Sequence, residues 1–140
     1  MKRKPYRFFP HTADVGLYVQ GRSMASLFKN AARGVTSFLT EPENLEPKKK
    51  VSLRLEAKSW ESLLVDWLGE ILYHFTVKRT GFSKFAVKKI EPFRIRAEGF
   101  GENLNPNRHP VFREIKAVTY HKLNIRKRNG IYSTRIILDI

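Results

Sequence analysis

The chain has 140 residues, no cysteine, 41% hydrophobic residues and a formal net charge of +14, from 27 Lys and Arg against 13 Asp and Glu. The missing cysteine excludes disulfides, thiolate metal sites and cysteine nucleophiles, and the length predicts a single domain over residues 1–140 with a core that needs no covalent staple. The charge attracts polyanions and speeds their encounter, so RNA, or a protein that handles RNA, stands as a partner beside the plainer reading of a solvated basic surface.

Met1-Lys2-Arg3-Lys4-Pro5 is basic, but no apolar signal core follows it. No apolar run approaches the roughly 20 residues of a membrane span. The expectation is a soluble, cytoplasmic protein with no membrane partner. Residues 1–10 carry Tyr6, Phe8 and Phe9 and suit a short first strand or an arm on the core. Leu17 and Val19 alternate with Gly16, Tyr18 and Gln20, which predicts a half-buried strand over Val15–Gln20. After a Gly21-Arg22 turn, Ser23 reads as an N-cap. Leu27, Phe28, Ala31, Ala32, Val35, Phe38 and Leu39 then mark one broad helical face, interrupted by Gly34. The acidic, proline-flanked stretch Glu41–Pro47 ends that helix as a loop.

Val51, Leu53, Leu55 and Ala57 alternate with polar residues and predict a strand. Ser59 caps a second helix whose apolar positions are Leu63, Leu64, Trp67, Leu68, Ile71, Leu72 and Phe75. Lys78 and Arg79 suit its negative end, and Gly81 suits a left-handed stop. Phe85–Val87 and Ile95–Ala97 read as two strands. Gly99–Pro110, rich in Gly, Asn and Pro, is expected to be irregular throughout. The last third reads as a hairpin: alternation from Lys116 to Ile125, a turn at Arg126–Gly130 signalled by Asn129-Gly130, and a strand to the chain end. The predicted fold is α+β, with two amphipathic helices on one face of a mainly antiparallel sheet.

No phosphate loop, His-Glu-x-x-His or Gly-x-Ser-x-Gly motif occurs. The four histidines, His11, His74, His109 and His121, are scattered. Oxygen ligands are the sharper signal. Asp139 and the carboxylate of Ile140 stand one residue apart, and Asp14 sits just ahead of the first clear strand. If the last strand meets the first, three carboxylates converge and a hard divalent cation relieves their repulsion. Spacing alone leaves open the plainer arrangement, in which Asp14 caps backbone amides and the terminus pairs with a Lys or Arg. His11 is placed either to hydrogen-bond Asp14 from behind or simply to cap the strand. Lys116 is a further candidate, beside the reading of an ordinary solvated strand lysine.

Three separated stretches carry a resemblance: His11-Thr12-Ala13-Asp14-Val15-Gly16, Lys116-Ala117-Val118-Thr119-Tyr120-His121, and Leu138-Asp139-Ile140. Together with the Trp67-Leu68-Gly69-Glu70-Ile71-Leu72-Tyr73 helix, they resemble the archease family over nearly the whole chain. The resemblance implies an accessory protein rather than an enzyme. Its partner is the tRNA-splicing RNA ligase, whose guanylylation and multiple turnover it promotes. It implies a calcium site at Asp14, Asp139 and the Ile140 carboxylate, and it links Lys116 to ligase activation. The net charge of +14 adds tRNA contact as an expectation.

Two other readings compete. A basic RNA-binding module would use Arg126-Lys127-Arg128 and the Tyr6, Phe8 and Phe9 arm. A metal-dependent hydrolase at Asp14 and Asp139 lacks a general acid or base at suitable spacing.

Overall fold

The computed structural model describes residues 4–11 and 14–140. In chain order these form β1 (Tyr6–His11), β2 (Asp14–Gly21), α1 (Met24–Leu39), β3 (Lys49–Glu56), α2 (Trp60–Thr76), β4 (Thr80–Glu91), β5 (Arg94–Asn103), β6 (Ala117–Thr119), β7 (Arg126–Arg128) and β8 (Ile131–Asp139). The fold is α+β and every strand pairing is antiparallel. The strands form two sheets rather than the expected one. A five-stranded sheet runs β1-β2-β8-β6, with β7 also on β8, and a three-stranded sheet runs β3-β5-β4.

Both helices touch both sheets. The reason lies in α2, where Val65 joins Leu63, Leu64, Trp67, Leu68, Ile71, Leu72 and Phe75 among the buried residues. A helix apolar over more than one stripe has to be covered from more than one side. Trp67 is fully buried, and its indole N–H donates to Phe28 O at 2.9 Å, tying α2 to α1. Ser23 and Ser59 cap the two helices, accepting from the N–H of Ser26 at 3.1 Å and of Ser62 at 3.0 Å. Gly34 has a packing cause: a Cβ there would lie 3.1 Å from Leu17 Cδ2 and 3.2 Å from Tyr6 Cγ. Among the described residues no helix is long and apolar enough to cross a membrane.

Three local expectations are corrected. The left-handed residue after α2 is Arg79, with φ 55°, while Gly81 lies inside β4. The helix ends early enough, with Val77 N–H on Tyr73 O, for the reversal to come before the glycine. Second, Gly99–Asn103 is strand, not loop. β5 is central, so Gly99 pairs Val51 on one side and Phe85 on the other, and two ladders override the glycine's poor strand propensity. Third, the alternation from Lys116 to Ile125 is not one strand. β6 stops at Thr119, and the chain turns through Lys122, with φ 53° and Leu123 N–H on Tyr120 O at 3.0 Å. Glu61 accepts from Ile125 N–H at 3.1 Å, and Thr134 Oγ1 donates to Asn124 O at 3.1 Å. These bonds hold the segment off the ladder until it returns as β7. Asn129 (φ 53°) and Gly130 (φ 76°) then make the tight hairpin turn, both with positive φ.

The segment after β5 is pinned by one carboxylate. Glu102, buried at the end of β5, accepts from Glu46 N–H at 2.7 Å and from both terminal nitrogens of Arg108 at 3.1 and 3.3 Å. His109 Nε2 lies 3.1 Å from the same carboxylate and 3.1 Å from Asn44 O. Asn105 N–H donates to His109 Nδ1 at 2.9 Å, so the imidazole proton resides on Nε2, which faces two acceptors. The Glu46 amide first, then His109 and Arg108, overcome the effect of burial and hold Glu102 down from 4.5 to about 2. A depressed carboxylate stabilises the fold above its unfolded pKa and ceases to do so as pH falls through the folded one. Its contribution is therefore complete above pH 4.5 and lost between 4.5 and about 2. Glu102→Gln is expected to lower the urea midpoint at neutral pH, and its gap from the parent should close across that window. A gap that stays constant into acid would contradict the assignment.

Candidate functional site on the outer face of the five-stranded sheet

Strand parity sorts the five-stranded sheet into two faces. Leu17 and Val19 on β2, and Thr134, Ile136 and Leu138 on β8, point inward and are buried. Gly16, Tyr18 and Gln20, with Ser133, Arg135 and Ile137 opposite them, point outward. Asp14 and Asp139 belong by parity to the outer face.

The last registered pair of β2 and β8 is Val15 with Leu138. One step further, the same register sets Asp14 against Asp139. Directly opposite residues have Cβ atoms about 5 Å apart. On the other side of β8, Ala117 faces Asp139, and Lys116 N–H donates to Asp139 O at 2.6 Å. The same register brings Lys116 level with Ile140. The two aspartates are half-buried, and Lys116 and Ile140 are exposed. The four residues, drawn from three strand ends, thus gather at one end of the sheet. The main chain of His11 pairs opposite Asp14. The His11 side chain, Thr12 and Ala13 lie outside the described residues.

Taken as the resemblance implies, Asp14, Asp139 and the Ile140 carboxylate would offer a hard divalent cation only oxygens, with solvent at hand for the rest of the shell. Among the described residues no three His, Cys, Asp or Glu side chains gather into a metal-holding group. This set contains only two such side chains, the third donor being the main-chain carboxylate. Asp14 also has an interaction of its own within the protein.

Of the rest of the outer face, the sequence singled out Phe9 and Arg126-Lys127-Arg128 but not how they pack. Phe9 is the registered partner of Gly16, and its ring covers the glycine so closely that a Cβ on Gly16 would fall on the ring atoms. An aromatic laid over a cross-strand glycine restores packing that the glycine cannot supply. Arg135 lies over the Phe9 ring at 5.6 Å, and Arg7 over Tyr18 at 5.1 Å. The available signal was a glycine within an alternating run near aromatics in the first ten residues. Gly16→Ala is expected to destabilise by about 1–3 kcal/mol through displacement of Phe9. Phe9→Ala in the same background should recover part of that loss. Urea denaturation of the double-mutant cycle checks it, and strict additivity would contradict the packing.

The comparisons with known proteins agree over the whole length. A model of the Archease protein family matches residues 6–140. The archease of Methanosarcina mazei is 36% identical over 141 residues, spanning 98% of this chain and 97% of the relative. The archease of Sulfurisphaera tokodaii is 33% identical over 137 residues, spanning 96% and 98%. Among solved structures, Methanobacterium thermoautotrophicum protein 1598 superimposes with a TM-score of 0.80 at 29% identity, covering 99% of this chain and 100% of that one. An archease of Thermotoga maritima, described as a possible chaperone, shares the fold with a TM-score of 0.65 at 19% identity, covering 100% and 98%. The family match across both terminal motifs, together with full-length relatives above 30% identity, places this chain in the archease family.

Proposed function

We propose that this archease is a non-catalytic activator of the tRNA-splicing RNA ligase, promoting the ligase's guanylylation and its multiple turnover in tRNA exon joining in the cytoplasm. The observation that supports this reading is the meeting of Asp14, Asp139, Ile140 and Lys116 at one sheet end, since these are the positions that the family resemblance marks. In this reading Asp14, Asp139 and the Ile140 carboxylate hold a divalent cation of the calcium type. When bound, the ion supplies positive charge against phosphate oxygens. Lys116, exposed beside the site, presents a mobile ammonium to a phosphate or to a carboxylate of the ligase. Stabilising charge on a phosphoryl group in transfer requires position and sign rather than a new nucleophile, so the reading assigns no catalytic residue to this chain.

The test is ligase guanylylation and exon joining with GTP and nicked tRNA, with and without this protein. Asp139→Asn is expected to reduce the stimulation at least ~10-fold. Lys116→Ala should reduce it while leaving calcium affinity unchanged. Full stimulation by Asp139→Asn would overturn the metal-centred reading, and no stimulation by the parent protein would overturn the accessory reading altogether.

A further inference from the structure

The outer face also carries a groove of about 1260 Å³, which the ligase reading does not use. Five cations line it, Lys122, Arg126, Lys127, Arg128 and Arg135, and no Asp or Glu does. Among the described residues none of the five pairs with a carboxylate. Some basic residues elsewhere are matched, Lys50 and Lys88 on Glu98 and Arg33 on Glu43, and the groove on the three-stranded sheet sets Glu56 and Glu91 among Arg54, Lys89, Arg94 and Arg96. Crowding like charges destabilises a sheet, and here only cation–π contacts, Arg135 on Phe9 and Lys127 on Tyr132, stand against it.

The groove is not merely charged. Phe9 and Tyr18 also line it. Each ring carries a guanidinium, Arg135 on Phe9 and Arg7 on Tyr18. Arginine planes and aromatic faces are what unpaired bases stack on, while flanking cations take the phosphates. An acidic peptide would use the charge but not the stacks.

We propose that this groove binds single-stranded nucleic acid without regard to sequence, with Arg126 and Arg128 on the phosphates and the Arg135–Phe9 and Arg7–Tyr18 stacks under the bases. Ile137 lines the groove, and Asp139 follows two residues later on the same face, roughly 7 Å along the strand. A strand lying in the groove therefore runs up to the acidic pair.

The test is fluorescence anisotropy with labelled oligouridylate and oligothymidylate on the order of 10 nucleotides long, a site size typical of small single-strand-binding modules. Affinity should fall steeply with salt for both. Joint replacement of Arg126, Arg128 and Arg135 by Ala should weaken binding at least ~10-fold and reduce the log–log salt slope by about 1.4, at ~0.7 for each of the two phosphate contacts. Arg135→Lys keeps the charge and loses the stacking plane, so it should weaken binding with the slope unchanged. The control removes Lys50, Lys88 and Arg94 from the three-stranded sheet. It deletes the same charge and should leave affinity within a factor of about 2. Circular dichroism melting establishes that each variant is folded. The proposal is overturned if the control weakens binding as much as the groove variant. It is also overturned if the parent binds neither oligonucleotide at low salt, or if a polyglutamate peptide of equal charge binds as tightly and depends on the same arginines. Guanylylation of the ligase measured without tRNA is a separate readout, so failure of the groove and failure of the accessory reading remain distinguishable.

Discussion

Antiparallel pairing of β2 with β8, with Val15 facing Leu138, is the constraint on which the rest of the molecule depends. It joins the two ends of the sequence and decides which residues face the helices. A slip of one residue would move Leu17, Val19, Ile136 and Leu138, all fully buried, to the solvent face. Each such side chain contributes roughly 1.5–3 kcal/mol on burial. Two half-buried carboxylates about 4 Å apart repel by about 4 kcal/mol at the effective dielectric of a protein surface, less than the four side chains together contribute. Core packing therefore dictates the register, and the opposition of Asp14 to Asp139 is a consequence that the fold can carry.

The same register organises the outer face into two electrostatic regions. At one end stand the aspartates and the end of β8, with Lys116 tied to the backbone of Asp139. Toward the β7–β8 hairpin lie unmatched arginines and lysines, with cation–π stacks on Phe9, Tyr18 and Tyr132. Gly16 links the two regions, because its missing side chain lets Phe9 lie flat on the sheet. The acidic end and the basic groove thus lie side by side on one face of the sheet.

Elements encoded by neighbours in sequence were legible from it. Both helices, with their 3.6-residue periods and the caps Ser23 and Ser59, follow from local rules, as does the Asn129-Gly130 turn. What escaped depends on distant partners. Gly99–Asn103 looks like loop until β3 and β4 flank it. Ile125 leaves the ladder for Glu61, 64 residues earlier. Glu102 is held by the amide of Glu46, 56 residues away, and no short pattern announces that clamp. The candidate residues fall between these cases. Parity places Asp14 on a face and Asp139 on a face, but only the choice of β8 as the neighbour of β2 makes the faces one. The family was legible because three motifs stand in order along the chain.

The most direct test of the central claim is a calcium titration of the intact protein followed by amide proton–nitrogen chemical shifts. The account predicts that the amides of Asp14, Val15, Lys116, Asp139 and Ile140 shift together, along one saturable curve, as the ion joins strand ends far apart in sequence. Saturable shifts confined to other parts of the molecule, or no shift at these five positions, would contradict it.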